Sequence, residues 1–256
     1  MKLIGLIASC LIAFFVVGCD SQSGEEADMY DRQKSLDDGD YARVLELTSN
    51  CGGDQPCLMD RAAAYMGLAG FDAPSIVKAI TNEEDDKGYF AILSPSIRGG
   101  DANASLGKAT TTYTSVLATR GYNVNNCDSS VGVLNKYEKD SCVNYGLAAI
   151  GRSAVLADKV LKLYESLSSS CDTIDACFGA AGNKDVVNGL LADAVDLIFN
   201  DSDAIVDMIS KGDSDAKEKI GEIKQDICNQ QSINPCNAAG VTSNLDAIFK
   251  YILEKR

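Results

Sequence analysis

The chain has 256 residues, 46 % of them hydrophobic and 23 % charged, with 4 Pro and 22 Gly. That composition fits one large or two small globular domains and excludes a wholly disordered, collagen-like or Pro-rich chain. There is no His, which excludes Ser-His-Asp and Cys-His catalysis, His-ligated metal and c-type haem attachment, and a formal charge of −14 argues against binding nucleic acid or anionic lipid through a basic face.

Met1-Lys2 opens the chain, an apolar run follows from Leu3 to Gly18, and Cys19 comes next. One basic residue, a short apolar core and small residues before a cleavage point make residues 1–18 a secretory signal peptide. The apolar core is about 15 residues, short of the ~20 that a bilayer-spanning helix needs. Val16-Val17-Gly18-Cys19 resembles the bacterial lipobox. That resemblance implies a bacterial lipoprotein in which Cys19 becomes the acylated first residue of the mature chain. Each buried acyl CH2 contributes ~0.8 kcal/mol, so several chains anchor a protein without a spanning helix. The body then faces the periplasm or the exterior. In enterobacteria, Asp after the lipidated Cys resembles an inner-membrane retention signal, so Asp20 leans the location to that membrane. Polar residues 19–26 read as a flexible tether, and removal of Lys2 makes the charge of −14 one unit more negative.

Residues 27–256 read as one helical domain. In its first section, 27–82, Tyr30, Leu36, Gly39, Asp40, Tyr41 and Val44 are followed by a poorer copy in Ala62, Ala64, Tyr65, Gly70, Phe71 and Ile76. This pattern resembles the tetratricopeptide repeat (TPR): helix, a Gly-Asp-Tyr turn, then a second helix. The resemblance implies that Gly serves the turn or close helix packing and that the aromatic fills the angle between helices. The distance from Tyr41 to Phe71 is shorter than the family's ~34-residue period. An ordinary pair of helical hairpins accounts for the pattern equally well.

The acidic run Glu83–Asp86 and the Gly- and Pro-containing stretch to Asp101 mark a section boundary, after which residues 101–256 form an irregular helical section. Leu106, Ala109, Tyr113, Val116 and Leu117 keep helical spacing, although Thr110, Thr111, Thr112 and Thr114 lower helix propensity. Leu156, Val160, Leu163 and Leu167 form a second stripe, and Val187, Leu190, Leu191, Ala194 and Ile198 a third. Ala216, Ile220, Ile223 and Ile227 follow, then Leu245, Ile248, Phe249, Ile252 and Leu253. Asp215–Glu218 and Ser243–Asp246 resemble capping boxes. No segment alternates as a strand would. The expected fold is all-α, about ten helices in an irregular helical-hairpin array, TPR-like near the N-terminus and stapled by disulfides.

With Cys10 in the signal and Cys19 lipidated, eight cysteines remain: Cys51, Cys57, Cys127, Cys142, Cys171, Cys177, Cys228 and Cys236. An even number in an oxidising compartment reads as disulfides, and these eight fall into four close sequential pairs. Turn-formers such as Cys51-Gly-Gly-Asp-Gln-Pro-Cys57 separate them. On a straight helix Cys171 and Cys177 would lie ~9 Å apart along the axis, too far for a bridge with its ~7 Å limit, so that pair needs a loop. After each second Cys a small-residue helix is expected to begin. A zinc site is the weaker reading, because the spacings are not those of zinc knuckles, and no C-x-x-C pair marks a thiol oxidoreductase.

Three acidic clusters, Asp37–Asp40, Glu83–Asp86 and Asn200–Asp203, lack the EF-hand pattern and read as helix caps and solvated faces. S-x-x-K occurs at Ser75, Ser105 and Ser214, without the S-D-N and K-T-G partners of serine β-lactamases. Tyr113, Tyr122, Tyr137 and Tyr145, around the Cys127 and Cys142 pair, read as bundle-core aromatics. No catalytic, cofactor-binding or metal-binding residue is assigned. The expected function is a lipid-anchored, non-catalytic binding or scaffold protein of the envelope, engaging another envelope protein or a transport component. Small helical lipoproteins of this kind include components associated with TRAP transporters and with outer-membrane assembly. A small-molecule carrier, or an enzyme with an unmarked carboxylate or Lys site, stands as the alternative.

Overall fold

The computed structural model describes residues 24–71, 101–129, 133–167, 183–197, 221–222, 224–229, 232 and 236–242. Among these residues every regular element is a helix: α1 (Gly24–Asp37), α2 (Tyr41–Leu47), α3 (Gln55–Leu68), α4 (Ala102–Ala118), α5 (Asn126–Ser129), α6 (Lys136–Leu167), α7 (Asn183–Asp196) and α8 (Ala238–Thr242). The fold is all-α, an irregular array of helical hairpins. The signal peptide, Cys19, the tether to Ser23, the run Glu83–Asp86, the cluster Asn200–Asp203, the boxes at Asp215 and Ser243, and the C-terminal stripe from Leu245 lie outside the described residues. No described helix is long and apolar enough to cross a membrane.

Helix α6 is the spine. At 32 residues it runs for about 48 Å at 1.5 Å per residue. Leu147, Ala148, Ala149 and Ile150 are all buried, as are Ala154, Val155, Leu156 and Ala157. No single stripe can bury four consecutive residues, so this helix is covered on more than one side. Helices α3 and α4 pack on it, and α7 packs on it as well. Val155 belongs to the main core with Ala62, Met66, Phe71, Leu106, Tyr113, Leu191 and Ile227. Ala149 and Leu156 pack instead with Ala194 and Leu197. Small side chains on the spine make this two-sided burial feasible; a Cβ at Gly151 would sit 3.3 Å from the Phe71 ring. Each fully buried Leu contributes about 1.5–3 kcal/mol relative to an exposed one.

The helix ends follow local chemistry. Asp40, Asp54 and Asp101 cap α2, α3 and α4, their carboxylates accepting from the backbone N–H groups of Arg43, Cys57 and Ala104. Helices α1, α3 and α4 each stop at a glycine with positive φ, at Gly39, Gly70 and Gly121. The N–H of the next residue reaches back to close each end: Asp40 to Ser35, Phe71 to Met66 and Tyr122 to Leu117. The hydroxyls of the Thr-rich helix α4 donate to its own carbonyls, Thr111 to Gly107 at 2.9 Å and Thr112 to Lys108 at 2.7 Å. The five apolar residues expected to form its inner face are all buried.

Three disulfides join Cys51 to Cys57, Cys127 to Cys142 and Cys228 to Cys236, with Cα–Cα distances of 5.4, 5.7 and 5.6 Å. Cys171 and Cys177 lie outside the described residues. The expectation that a helix starts after each second Cys holds at Cys236, where α8 starts at Ala238, and needs correction at Cys57 and Cys142. Helix α3 starts at Gln55, before Cys57, because Asp54 caps it and Pro56 suits its first turn. Helix α6 starts at Lys136, more than a turn before Cys142. Its start is a capping box: Glu138 N–H donates to Asn135 Oδ1 at 2.9 Å, and Asn135 N–H donates to Glu138 Oε2 at 2.7 Å. The tyrosines also divide. Tyr113 and Tyr145 are buried, whereas Tyr137, in the first turn of α6, and Tyr30, on α1, are exposed.

Candidate functional site

Two buried polar clusters and one groove stand out. The first cluster joins α1 to α3. Asp60 lies on the inner side of α3, where Arg32 Nε donates to its Oδ2 at 2.8 Å and Gln33 Nε2 to its Oδ1 at 2.6 Å. Both members of the ion pair have side chains only 9 % exposed. Burial pushes the Asp60 pKa above its ordinary value of 3.8, against the opposing hydrogen bond and charge of Arg32. Helix α1 carries few apolar residues on this side, so the paired charges fix where it docks.

The second cluster ties together the start of α3, the end of α4 and the start of α6. The Glu138 carboxylate is fully buried and accepts from Arg120 Nη1 at 3.0 Å and from Gln55 Nε2 at 3.3 Å, besides the Asn135 N–H. Gln55 Nε2 also reaches Thr119 Oγ1 at 2.8 Å, and Asn135 Nδ2 donates to Gln55 Oε1 at 2.8 Å. Nearby, the Cys127–Cys142 bridge is buried with Leu117 and Leu134. Ser141 Oγ donates to the Tyr113 carbonyl at 2.7 Å, and Tyr113 Oη donates to Met66 Sδ at 3.3 Å. Burial pushes the Tyr113 phenol well above its ordinary range. No described buried side-chain nitrogen or oxygen lacks a hydrogen-bond partner. Glu138 has its oxygens filled and no solvent access, so it holds three helix ends in register rather than exchanging protons with a substrate.

The groove lies between α3 and α4. Leu58, Arg61 and Tyr65 repeat at helical spacing along one face of α3. Ala104, Gly107, Lys108, Thr111 and Ser115 do the same on α4. These faces, with Thr112, line an open cavity of about 450 Å³. Arg61 Cζ is 5.9 Å and Lys108 Nζ 5.6 Å from the centroid of the Tyr65 ring, within range for attraction by its π face. Arg61 Nη1 donates to the Thr48 carbonyl at 3.3 Å, which holds the guanidinium to the wall. The groove is therefore a cationic recess with one aromatic wall residue, Tyr65, on a strongly acidic chain.

Of the residues expected from sequence to act, Cys51, Cys57, Cys127, Cys142, Cys228 and Cys236 form bridges, and Cys19, Cys171 and Cys177 lie outside the described residues. In the cluster Asp37–Asp40, Asp40 is a helix cap. No group of three or more metal-ligating side chains occurs among the described residues. Ser105 and Lys108 share α4, where Lys108 belongs to the groove; Ser75 and Ser214 lie outside the described residues. Sequence reasoning did not single out Arg61, although Arg61 and Tyr65 stand four apart on one helix, a spacing that brings side chains together. Nothing in the sequence brings Lys108 to that ring. No protein-family model, curated protein or solved structure matches this chain.

Proposed function

We propose that this chain is a lipid-anchored, extracytoplasmic, non-catalytic binding module of the bacterial envelope that engages another envelope protein or a transport component. The observation that carries the reading is where the polar groups sit. Asp60 and Glu138, the carboxylates buried among the described residues, are saturated by Arg32, Gln33, Arg120, Gln55 and Asn135, and the accessible recess between α3 and α4 is open and lined by helix faces. Acid–base catalysis needs a carboxyl group within reach of a substrate proton. An open recess on a cross-linked helical scaffold suits binding.

The lipobox-like Val16–Cys19 supports the anchor, and Asp20 supports the inner membrane. Helix α1 takes up Gly24–Glu26, which shortens the tether expected over 19–26 to Asp20–Ser23. At full extension that spans at most about 14 Å, so a partner sits at the same membrane surface. The repeat-like reading of the first section has support in the turn at Gly39, with φ +73°, and in Tyr41, whose ring lies against Gly67 between α2 and α3. The acidic mature chain favours a partner with a cationic surface, which would meet the acidic exterior outside the α3–α4 recess.

Cross-linking the full chain in its native envelope tests this. The expected result is a protein adduct that Cys19→Ser abolishes together with membrane retention. An adduct-free protein, or an adduct indifferent to Cys19→Ser, contradicts the reading.

A further inference from the structure

We infer that the α3–α4 groove binds a small organic carboxylate, held between the Arg61 guanidinium and the Lys108 ammonium with its carbon body along Leu58 and Tyr65. The two cations are gathered at one ring, 5.9 and 5.6 Å from its centroid. The chain has 37 acidic residues against 23 basic ones, so carboxylate partners abound. Among the described residues neither Arg61 nor Lys108 forms an ion pair, which they share with Lys34, Lys136, Lys139 and Lys159; what distinguishes these two is that both face one aromatic ring in a groove. With both cations at the same ring, an anion in the groove beside Tyr65 lies within the attraction of either. Arg61 uses one Nη1 bond on Thr48 and keeps its remaining N–H groups for a planar two-oxygen acceptor.

Three features narrow the ligand. The volume, about 450 Å³, suits a small molecule and is ordinary for such sites. The lining residues come from the sides of α3 and α4, where backbone N–H groups are committed to the helix, so the free N–H cradle typical of phosphate sites is absent. The overall charge of −14 repels an acidic polypeptide along its length but opposes a single carboxylate far less. Thr111, Thr112 and Ser115 donate to carbonyls of α4, leaving oxygen lone pairs to accept from a hydroxyl or amine on the ligand.

The test is a calorimetric titration of the full-length, disulfide-intact protein with phenylacetate and with phenylacetamide, its uncharged counterpart. Saturable one-to-one binding of phenylacetate is expected, with the amide at least about tenfold weaker, since a charge-assisted hydrogen bond discriminates on that scale. Lys108→Gln at an exposed position and Arg61→Gln should each weaken phenylacetate by about tenfold with the circular dichroism unchanged. Equal binding of acid and amide, no saturable binding, or full binding by the double variant overturns the inference. So does tighter binding of phenyl phosphate or of a Glu-rich hexapeptide than of phenylacetate. The inference rests on the groove alone, and its failure leaves the protein-partner reading standing.

Discussion

The Tyr41 ring occupies the space that a side chain on Gly67 would need: a Cβ built on that glycine overlaps the ring. The first residue of α2 is thereby locked against the last turn of α3, and the glycine is required by close approach, not by backbone conformation. Gly67→Ala should destabilise the fold by about 1–3 kcal/mol, the usual cost of overpacking. In a Tyr41→Ala background the same change should cost almost nothing or gain slightly from helix propensity. Urea denaturation of the four proteins of the cycle measures this, and simple additivity would refute the contact.

The Glu138 carboxylate organises three helix ends, so Glu138→Ala should leave the Asn135 N–H short of an acceptor, while Gln55 Nε2 keeps Thr119 Oγ1 and the Val116 carbonyl. Arg120 is 45 % exposed and can return to water, which limits the loss. A cost of about 1–3 kcal/mol follows from the lost hydrogen bonds to a charged acceptor. Equilibrium denaturation checks it, and a neutral outcome would show that the cluster contributes nothing to stability.

How much of this was legible in the chain divides by range. The helix carrying Leu106, Ala109, Tyr113, Val116 and Leu117 was readable because its spacing is local, and all five are buried. The cap at Asp40 was readable for the same reason. The start of α6 lies at Lys136 and not after Cys142 because the Asn135–Glu138 box, as local a signal as the cysteine spacing, caps the helix there. The groove was not readable, because Lys108 meets Tyr65 only when α4 packs on α3. Nor was the burial of Asp60: a lone acidic residue on a helix looks solvated until another helix supplies Arg32.

Asp60 sets a pH dependence whose sign is fixed by its raised pKa. The folded state binds this proton more tightly than the unfolded chain does. The stabilisation from protonating Asp60 is therefore fully present below the ordinary value of 3.8 and is lost as pH rises through the folded pKa. Comparison with Asp60→Asn cancels the other carboxylates. The stability of wild type relative to this variant should be greater at acid pH than at neutral pH. A wild type that loses ground to the variant on acidification would reverse the assignment.

The Cys127–Cys142 bridge is fully buried and closes a loop of sequence separation 15. Replacing both cysteines by Ala should cost about 3 kcal/mol by the loop-entropy relation. Non-reducing peptide mapping should find this pair, Cys51–Cys57 and Cys228–Cys236 each joined internally, and Cys171–Cys177 likewise. A bond between different pairs, or free thiols, would contradict the staple arrangement.

Everything proposed about partner and place depends on Cys19, so the most direct measurement is the mass of the N-terminal peptide of the protein isolated from its native envelope. The account predicts a chain that begins at Cys19 and carries acyl chains on that residue. A chain still beginning at Met1, or one cut elsewhere with Cys19 unmodified, would contradict it.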